Sequence, residues 1–446
     1  MTDPIYFPKD FLWGASSSSY QIEGAWDADG KGLSIWDEFT RIPGAIAGGE
    51  DGRIACDHYH HSREDVALMK TIGLHAYRFS ISWPRILPEG RGRINQPGLD
   101  FYSRLVDDLL ETGIQPFATL YHWDLPQILQ DQGGWPERKI VDAFIEYSDV
   151  VTRHLGDRVV GWATFNEPFI AAHLGYAIGV HAPGHTSLHE SLRAAHHMLL
   201  AHGRAVPVIR QNAPGAQVGM VLNLGPCTPA APDEATLAQT HLADGMLNRW
   251  YLDPLAGRGY PADMIAYYAS ALDPVDPRDL AEIAAPLDFL GVNYYSRSVI
   301  RAGEMPFQGH NAEPFTPGPD VTVVGWEVYP RGLTDILVRL QREYPFPVLY
   351  VTENGAAYID ALTPEGAVHD GLRTAYLERH AAALADAIQA GAPVKGYFVW
   401  SLMDNFEWAS GYDIRFGITY IDYPTQRRML KDSALWYGRM IKAGEK

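Results

Sequence analysis

Cysteine is almost missing from this chain: Cys56 and Cys227 are the two thiols in 446 residues. That is too few for a disulfide framework, and neither sits in a CxxC or Cys/His zinc spacing, which fits a reducing compartment. Basic residues are scarce as well, 36 Lys and Arg against 54 Asp and Glu, for a net charge of −18 with histidines neutral. Such a balance argues against nucleic acid and favours a soluble protein that handles neutral or cationic small molecules. No apolar run approaches the about 18 residues a membrane helix needs, and residues 1–10 lack a basic stretch followed by an apolar one. A cytoplasmic, unanchored protein is expected.

Several motifs are missing in ways that remove whole chemistries. Asp29-Gly30-Lys31-Gly32 lacks the earlier glycine and the following Ser or Thr of a phosphate loop, so it reads as a turn. His189-Glu190 and His196-His197 do not make the HExxH spacing, and His58, His60 and His61 have no evident third partner, so no metal is expected. Ser16 to Ser19 contain no GxSxG elbow, which disfavours a serine hydrolase.

What the sequence does have is repetition of secondary structure. Eight apolar runs, 11–16, 76–82, 115–122, 161–168, 218–225, 288–295, 348–355 and 394–405, each precede a stretch with helical periodicity. Helices are expected at about 58–73, 98–113, 137–155, 186–212, 234–251, 330–343, 371–390 and 432–443, the first with Asp57 as its N-cap. Alternation of this kind predicts a parallel sheet. Eight units without a Gly-rich first crossover predict a closed α/β (β/α)8 TIM barrel, taken as one catalytic domain over residues 1–446 with extended loops at the C-terminal face of the strands. The long loops at 24–57, 170–185 and 302–320 have the length of lids or binding walls.

Two runs end on a carboxylate, Glu167 in Gly161–Pro168 and Glu353 in Val348–Gly355. Either could be an ordinary acid in the first turn of a helix. Asn166 and Asn354 flank them, however, and nothing basic follows closely, which predicts neutral hydrogen-bonding surroundings where a carboxyl pKa can be tuned. In a parallel barrel the strand ends meet at one face. Gln21, Arg78, His122, Trp123, Asn166, Glu167, Asn293, Tyr295, Glu353, Trp400, Glu407 and Trp408 would gather there. Two carboxyls, flat aromatic surfaces and many uncharged donors suit a neutral, polyhydroxylated ring.

With those residues placed, a resemblance becomes specific. Phe11–Gly24, Tyr77–Arg85, Leu120–Pro126, Thr164–Pro168, Gly291–Tyr295, Val351–Gly355 and Asn405–Trp408 resemble, in order, glycoside hydrolase family one, over about Phe7 to Ile441. The resemblance implies a retaining β-glycosidase, a β-glucosidase releasing terminal glucose, with Glu167 as acid/base and Glu353 as nucleophile. It implies that Arg78 and Tyr295 orient Glu353, that Asn166 meets the sugar 2-hydroxyl, and that Asn293 completes the ring of hydrogen bonds. Gln21, His122, Glu407 and Trp408 would bind the glycone over a Trp400 floor. Neither metal nor organic cofactor is implied, and the partners are small neutral β-glycosides. The residue after Asn-Glu-Pro, commonly tryptophan in the family, is Phe169, which with Phe307, Phe315 and Trp326 would form the aglycone side. Competing readings are a transglycosylase, a 6-phospho-β-glycosidase and a non-catalytic sugar-binding barrel; Glu407 and Ile414 stand where phosphate-specific relatives carry basic and hydroxyl groups.

Overall fold

The computed structural model describes residues 7–304 and 318–444. Eight strands, β1 Leu12–Ser16, β2 Ala76–Ser80, β3 Gln115–Tyr121, β4 Gly161–Asn166, β5 Gln217–Asn223, β6 Phe289–Asn293, β7 Leu349–Asn354 and β8 Val394–Trp400, close into a parallel barrel. Each strand pairs with its neighbour in sequence, and β1 with β8 closes the ring. The register aligns Ser16 with Trp400, Asn223 with Asn293 and Asn293 with Glu353, so the C-terminal ends of these strands form one rim.

The strands show little alternation because both of their faces are covered. Inside the barrel, Phe117, Phe289, Tyr350 and Phe398 form a core with Ala76, Ala163 and Val221, separate from the larger core between barrel and helices. The rings fit because neighbouring strands carry no side chain where they need room: a Cβ at Gly161 would stand 2.4 Å from Phe117 Cδ1, and one at Gly14 2.5 Å from Phe398 Cδ1. This packed floor gives the rim above it a fixed base.

Outside run α1 His58–Ile72, α2 Gln96–Glu111, α3 Ile140–Leu155, α4 Leu188–Asn212, α5 Glu234–Asp244, α6 Pro330–Glu343, α7 Gly371–Gln389 and α8 Asp432–Gly444. Their ends follow local chemistry. Pro97 and Pro330 sit in first turns, Ser187 and Asp233 accept from the third backbone N–H of α4 and α5, and Gly73 stops α1 at φ 90°.

Three expectations need correction. Asp57 stands at the N-cap position of α1, but it adopts a left-handed backbone and its carboxylate meets the His60 Nδ1 atom at 2.6 Å instead of capping. The helix expected over 234–251 is interrupted: α5 ends at Asp244, a π segment covers Gly245–Arg249, and α-helix resumes at Trp250–Leu255. The last run stops being strand at Trp400, five residues early, because residues 401–418 fold over the rim as a loop. Most of the 302–320 loop, with Phe307 and Phe315, lies outside the described residues.

Candidate active site

Glu167 and Glu353 occupy unlike positions on the rim. Glu353 is inside β7, 3% exposed, with its carboxylate held at both oxygens: Arg78 Nη1 donates to Oε1 at 2.7 Å and the Tyr295 hydroxyl to Oε2 at 2.6 Å. Glu167 follows β4 with φ 47° and opens the short helix Pro168–Ala172. It is 6% exposed, and Asn293 Nδ2 donates to its Oε1 at 2.7 Å. The ion pair corrects the expectation of purely neutral surroundings for Glu353. Its cation arrives from β2, 275 residues away in sequence, so local sequence gave no sign of it.

Asn166 ties the pair together. Its Oδ1 accepts from Arg78 Nη2 at 2.7 Å and from Asn293 Nδ2 at 3.1 Å, while Trp123 Nε1 donates to its carbonyl at 2.9 Å. With the oxygen so committed, the Asn166 amide nitrogen must be the donor to His122 Nε2, 3.1 Å away. The imidazole proton therefore sits on Nδ1, which is fully buried with no hydrogen-bond partner among the described residues. Burial, reinforced by the Arg78 charge, drives the His122 pKa down and keeps the ring neutral.

Burial raises the pKa of both glutamates, and the Glu353 charge raises that of Glu167 further. Glu353 alone receives a guanidinium and a phenol, so a proton shared by the pair belongs on Glu167. The Glu167 carboxyl is pushed up to about 8, by desolvation first and the Glu353 charge second. The Tyr295 phenol, buried beside Glu353, is pushed up too and stays a donor. One carboxylate and one carboxylic acid thus share this rim at neutral pH.

The rest of the cleft is aromatic and polar. His122 lies nearly parallel to Trp400 and to Trp408, each with centroids 6.0 Å apart, and Trp123 packs on Trp408 at 4.6 Å. Gln21 is fully buried; its Nε2 donates to Asn405 Oδ1 at 2.9 Å and to the Phe406 carbonyl at 3.0 Å, with Glu407 Oε2 at 3.5 Å. Glu407 keeps part of its surface open, yet desolvation and the Glu353 charge lift its carboxyl to about 8. Trp326 is 40% exposed and packs on Tyr295 and Phe416 at 5.2 and 6.1 Å. Phe169 is buried at 3% exposure, its ring stacked on His173 at 5.0 Å.

These distances, with three site residues in left-handed backbone (Trp123 φ 77°, Glu167 φ 47°, Trp408 φ 48°), describe a preorganised cleft. Non-glycine residues there cost about 1–3 kcal/mol each and gather at functional sites. A model described as Glycosyl hydrolase family 1 matches residues 4–446. The chain belongs to glycosyl hydrolase family 1. Among its family 1 relatives, β-glucosidase A of Thermotoga maritima is 46% identical over 438 residues, 98% of each chain. β-Glucosidase A of Acetivibrio thermocellus is 46% identical over 445 residues, again 98% of each. A solved family 1 β-glucosidase from Thermotoga maritima superposes with a TM-score of 0.95 at 46% identity, covering 99% of both chains, and a complex of the Thermotoga maritima β-glucosidase with glucoimidazole gives 0.93 at 45%, covering 98% of this chain and 99% of that one.

Sequence reading missed the residues that act behind the site. Thr119 accepts from Arg78 Nε at 3.1 Å, Thr352 donates to Asn293 Oδ1 at 2.7 Å, and Ser18 donates to Gln21 Oε1 at 2.6 Å. Thr119 and Thr352 sit on barrel strands, three residues before His122 and one before Glu353, so no period-two spacing from a predicted site residue marked them. The histidines set aside as metal ligands have other partners: His196 meets Tyr260 and Asp279, and His189 meets Asp273. Among the described residues no helix is long and apolar enough to cross a membrane.

Proposed function

We propose that this family 1 chain hydrolyses terminal non-reducing β-D-glucosyl residues of cello-oligosaccharides and aryl or alkyl β-glucosides by double displacement with retention. The observation that carries the reading is the unequal treatment of two carboxyls on one rim, Glu353 paired with Arg78 and Glu167 held, among the described residues, by the Asn293 amide. Relatives named β-glucosidase support the substrate class.

In this reading Glu353 attacks the anomeric carbon while Glu167 protonates the departing oxygen, which calls for carboxyls roughly 5–5.5 Å apart. As the covalent ester forms, the Glu353 charge disappears. Glu167, whose pKa burial first and that charge second had raised, then loses the second contribution, ionises more readily, and removes a proton from the water that cleaves the ester. Asn166 has one amide hydrogen on His122, which leaves the other for the sugar 2-hydroxyl, a contact that strengthens as positive charge grows on the ring. The Glu407 carboxyl supplies a further partner for glycone hydroxyls over Trp400, and His122, Gln21 and Trp408 form the wall that holds it. Tyr295 and Arg78 orient the nucleophile.

On the leaving-group side we assign Trp326 and Phe169, the first by its exposed ring, the second as the buried support beside Glu167. The same reading takes 1–446 as one catalytic domain that works in the cytoplasm on short glycosides from cellulose. Proton NMR of the first product from an aryl β-glucoside tests it: β-glucose is expected, and either α-glucose or no hydrolysis would overturn it.

A further inference from the structure

Loop 404–417 carries Glu407 and Trp408 near one end and Phe416 at the other. Under it lies a balanced cluster of six charges, Asp360, Asp370 and Asp404 with Arg373, Arg415 and Lys431. Five of these side chains are at most 1% exposed. Lys431 Nζ bridges Asp360 Oδ2 at 2.5 Å and Asp404 Oδ1 at 2.6 Å; Arg373 grips Asp360 at 2.9 and 3.0 Å and Asp370 at 2.6 Å; Arg415 Nη1 holds Asp404 Oδ2 at 2.6 Å.

A buried ion pair is poor evidence for a gain in stability, because desolvation offsets the attraction. What distinguishes this cluster is that its charges also bond the backbone of functional segments. Asp404 accepts from Gly417 N at 3.1 Å, so one carboxylate joins both ends of the loop, and the ends touch: a Cβ at position 417 would stand 2.0 Å from the Asp404 nitrogen. Arg373 donates to the Ala356 carbonyl at 3.1 Å and to the Arg415 carbonyl at 2.7 Å, linking the segment just after Glu353 to the loop. Asn405, next to Asp404, is the acceptor for Gln21 Nε2.

We propose that Asp404 is a positioning residue for glycone recognition: through Arg415, Lys431 and Gly417 it fixes the loop so that Glu407 and Trp408 meet the sugar hydroxyls in register with Glu353. This rests on the glucosidase reading above. Loss of the Asp404 charge puts an amide donor against Arg415 or Lys431, and the loop should shift relative to the barrel while β4 and β7 stay in place.

The test compares kcat/KM for an aryl β-glucoside with that for the 6-deoxy aryl β-glucoside, which gives Glu407 one hydroxyl fewer to bind. Active sites are counted by titration with a 2-deoxy-2-fluoro glucoside, so unfolded protein does not enter. In D404N the preference for the glucoside over its 6-deoxy analogue should narrow by about tenfold, mainly through KM. R415M, at the more exposed end of the cluster, should narrow it in the same direction and stands in if D404N does not fold. Equal loss on both substrates, or an unchanged preference, would overturn the positioning role. A wild-type enzyme inactive on both would overturn the glucosidase reading itself.

Discussion

Arg78 Nη1 lies 2.7 Å from Glu353 Oε1 with both side chains almost wholly buried, and the second terminal nitrogen of the same guanidinium holds Asn166. One cation therefore favours the charged form of Glu353, the nucleophile in the reading proposed above, and fixes the amide which that reading assigns to the sugar 2-hydroxyl. Incubation with a 2-deoxy-2-fluoro glucoside bearing a good leaving group should add one sugar mass to the peptide containing Glu353. In R78M the label should form far more slowly and the acid limb of kcat/KM should move to higher pH, since burial without the cation favours protonated Glu353. Breaking a buried pair typically costs about 3–5 kcal/mol, so a fall in denaturation midpoint is expected too. Labelling at another residue would remove Glu353 from this role.

Glu167 must be protonated to act as the acid, and its pKa is raised to about 8. Activity should therefore fall as pH climbs through that region. In E167Q that alkaline limb should vanish, and substrates with poor leaving groups should lose about 10²–10⁴-fold while activated aryl glucosides lose much less. Azide should restore turnover by attacking the intermediate without a base. Carbon-13 NMR of the carboxyl should show the Glu167 pKa falling once Glu353 is esterified, because burial still raises it but the Glu353 charge no longer adds to that rise. A pKa that stays put after labelling would count against this electrostatic coupling.

Glu407 presents an acid where a 6-phosphate would lie in the reading proposed here. Wild-type activity on a 6-phospho aryl glucoside should be far below that on the glucoside, and E407Q should lose activity on the glucoside by an amount equivalent to about 1–3 kcal/mol for each hydroxyl left without its partner. Comparable kcat/KM on the two substrates would rule out selection against a 6-phosphate at this position.

The barrel could be read from the sequence because a parallel strand covered on both faces leaves an unbroken apolar run, and Val348–Val351 or Gly161–Phe165 look like nothing else. Glu167 and Glu353 were legible as carboxylates ending such runs. Residue spacing alone did not show their surroundings, since Arg78 and Glu353 become neighbours only when β2 and β7 join one barrel; the family resemblance was what named Arg78 and Tyr295 beside Glu353. Nor could the left-handed backbone of Trp123, Glu167 and Trp408 be seen, because no glycine marks those positions. Asp57 misled for a related reason: its residue type suits a cap, but nearby histidines compete for the carboxylate. The cluster around Asp404 is the least legible part, six charges drawn together from positions 360 to 431 with no local pattern to announce them.

The two aromatic residues proposed for the leaving-group side have unlike settings. Trp326 exposes 40% of its surface beside Tyr295, whereas Phe169 is covered and stacks on His173. A second sugar can lie directly on the first but can feel the second only through what Phe169 supports. W326A should therefore raise KM for cellobiose by a factor equivalent to about 0.5–1.5 kcal/mol, with a smaller effect on a small aryl glucoside and little change in stability. F169W tests the other half. If the position borders the aglycone site, the larger ring should change KM for cellobiose more than for the aryl substrate, accompanied by a loss of stability of about 1–3 kcal/mol from overpacking. Denaturant midpoints and the two KM values separate these effects. Equal shifts on both substrates in F169W would make Phe169 purely structural and leave the choice of aglycone to Trp326 and its neighbours.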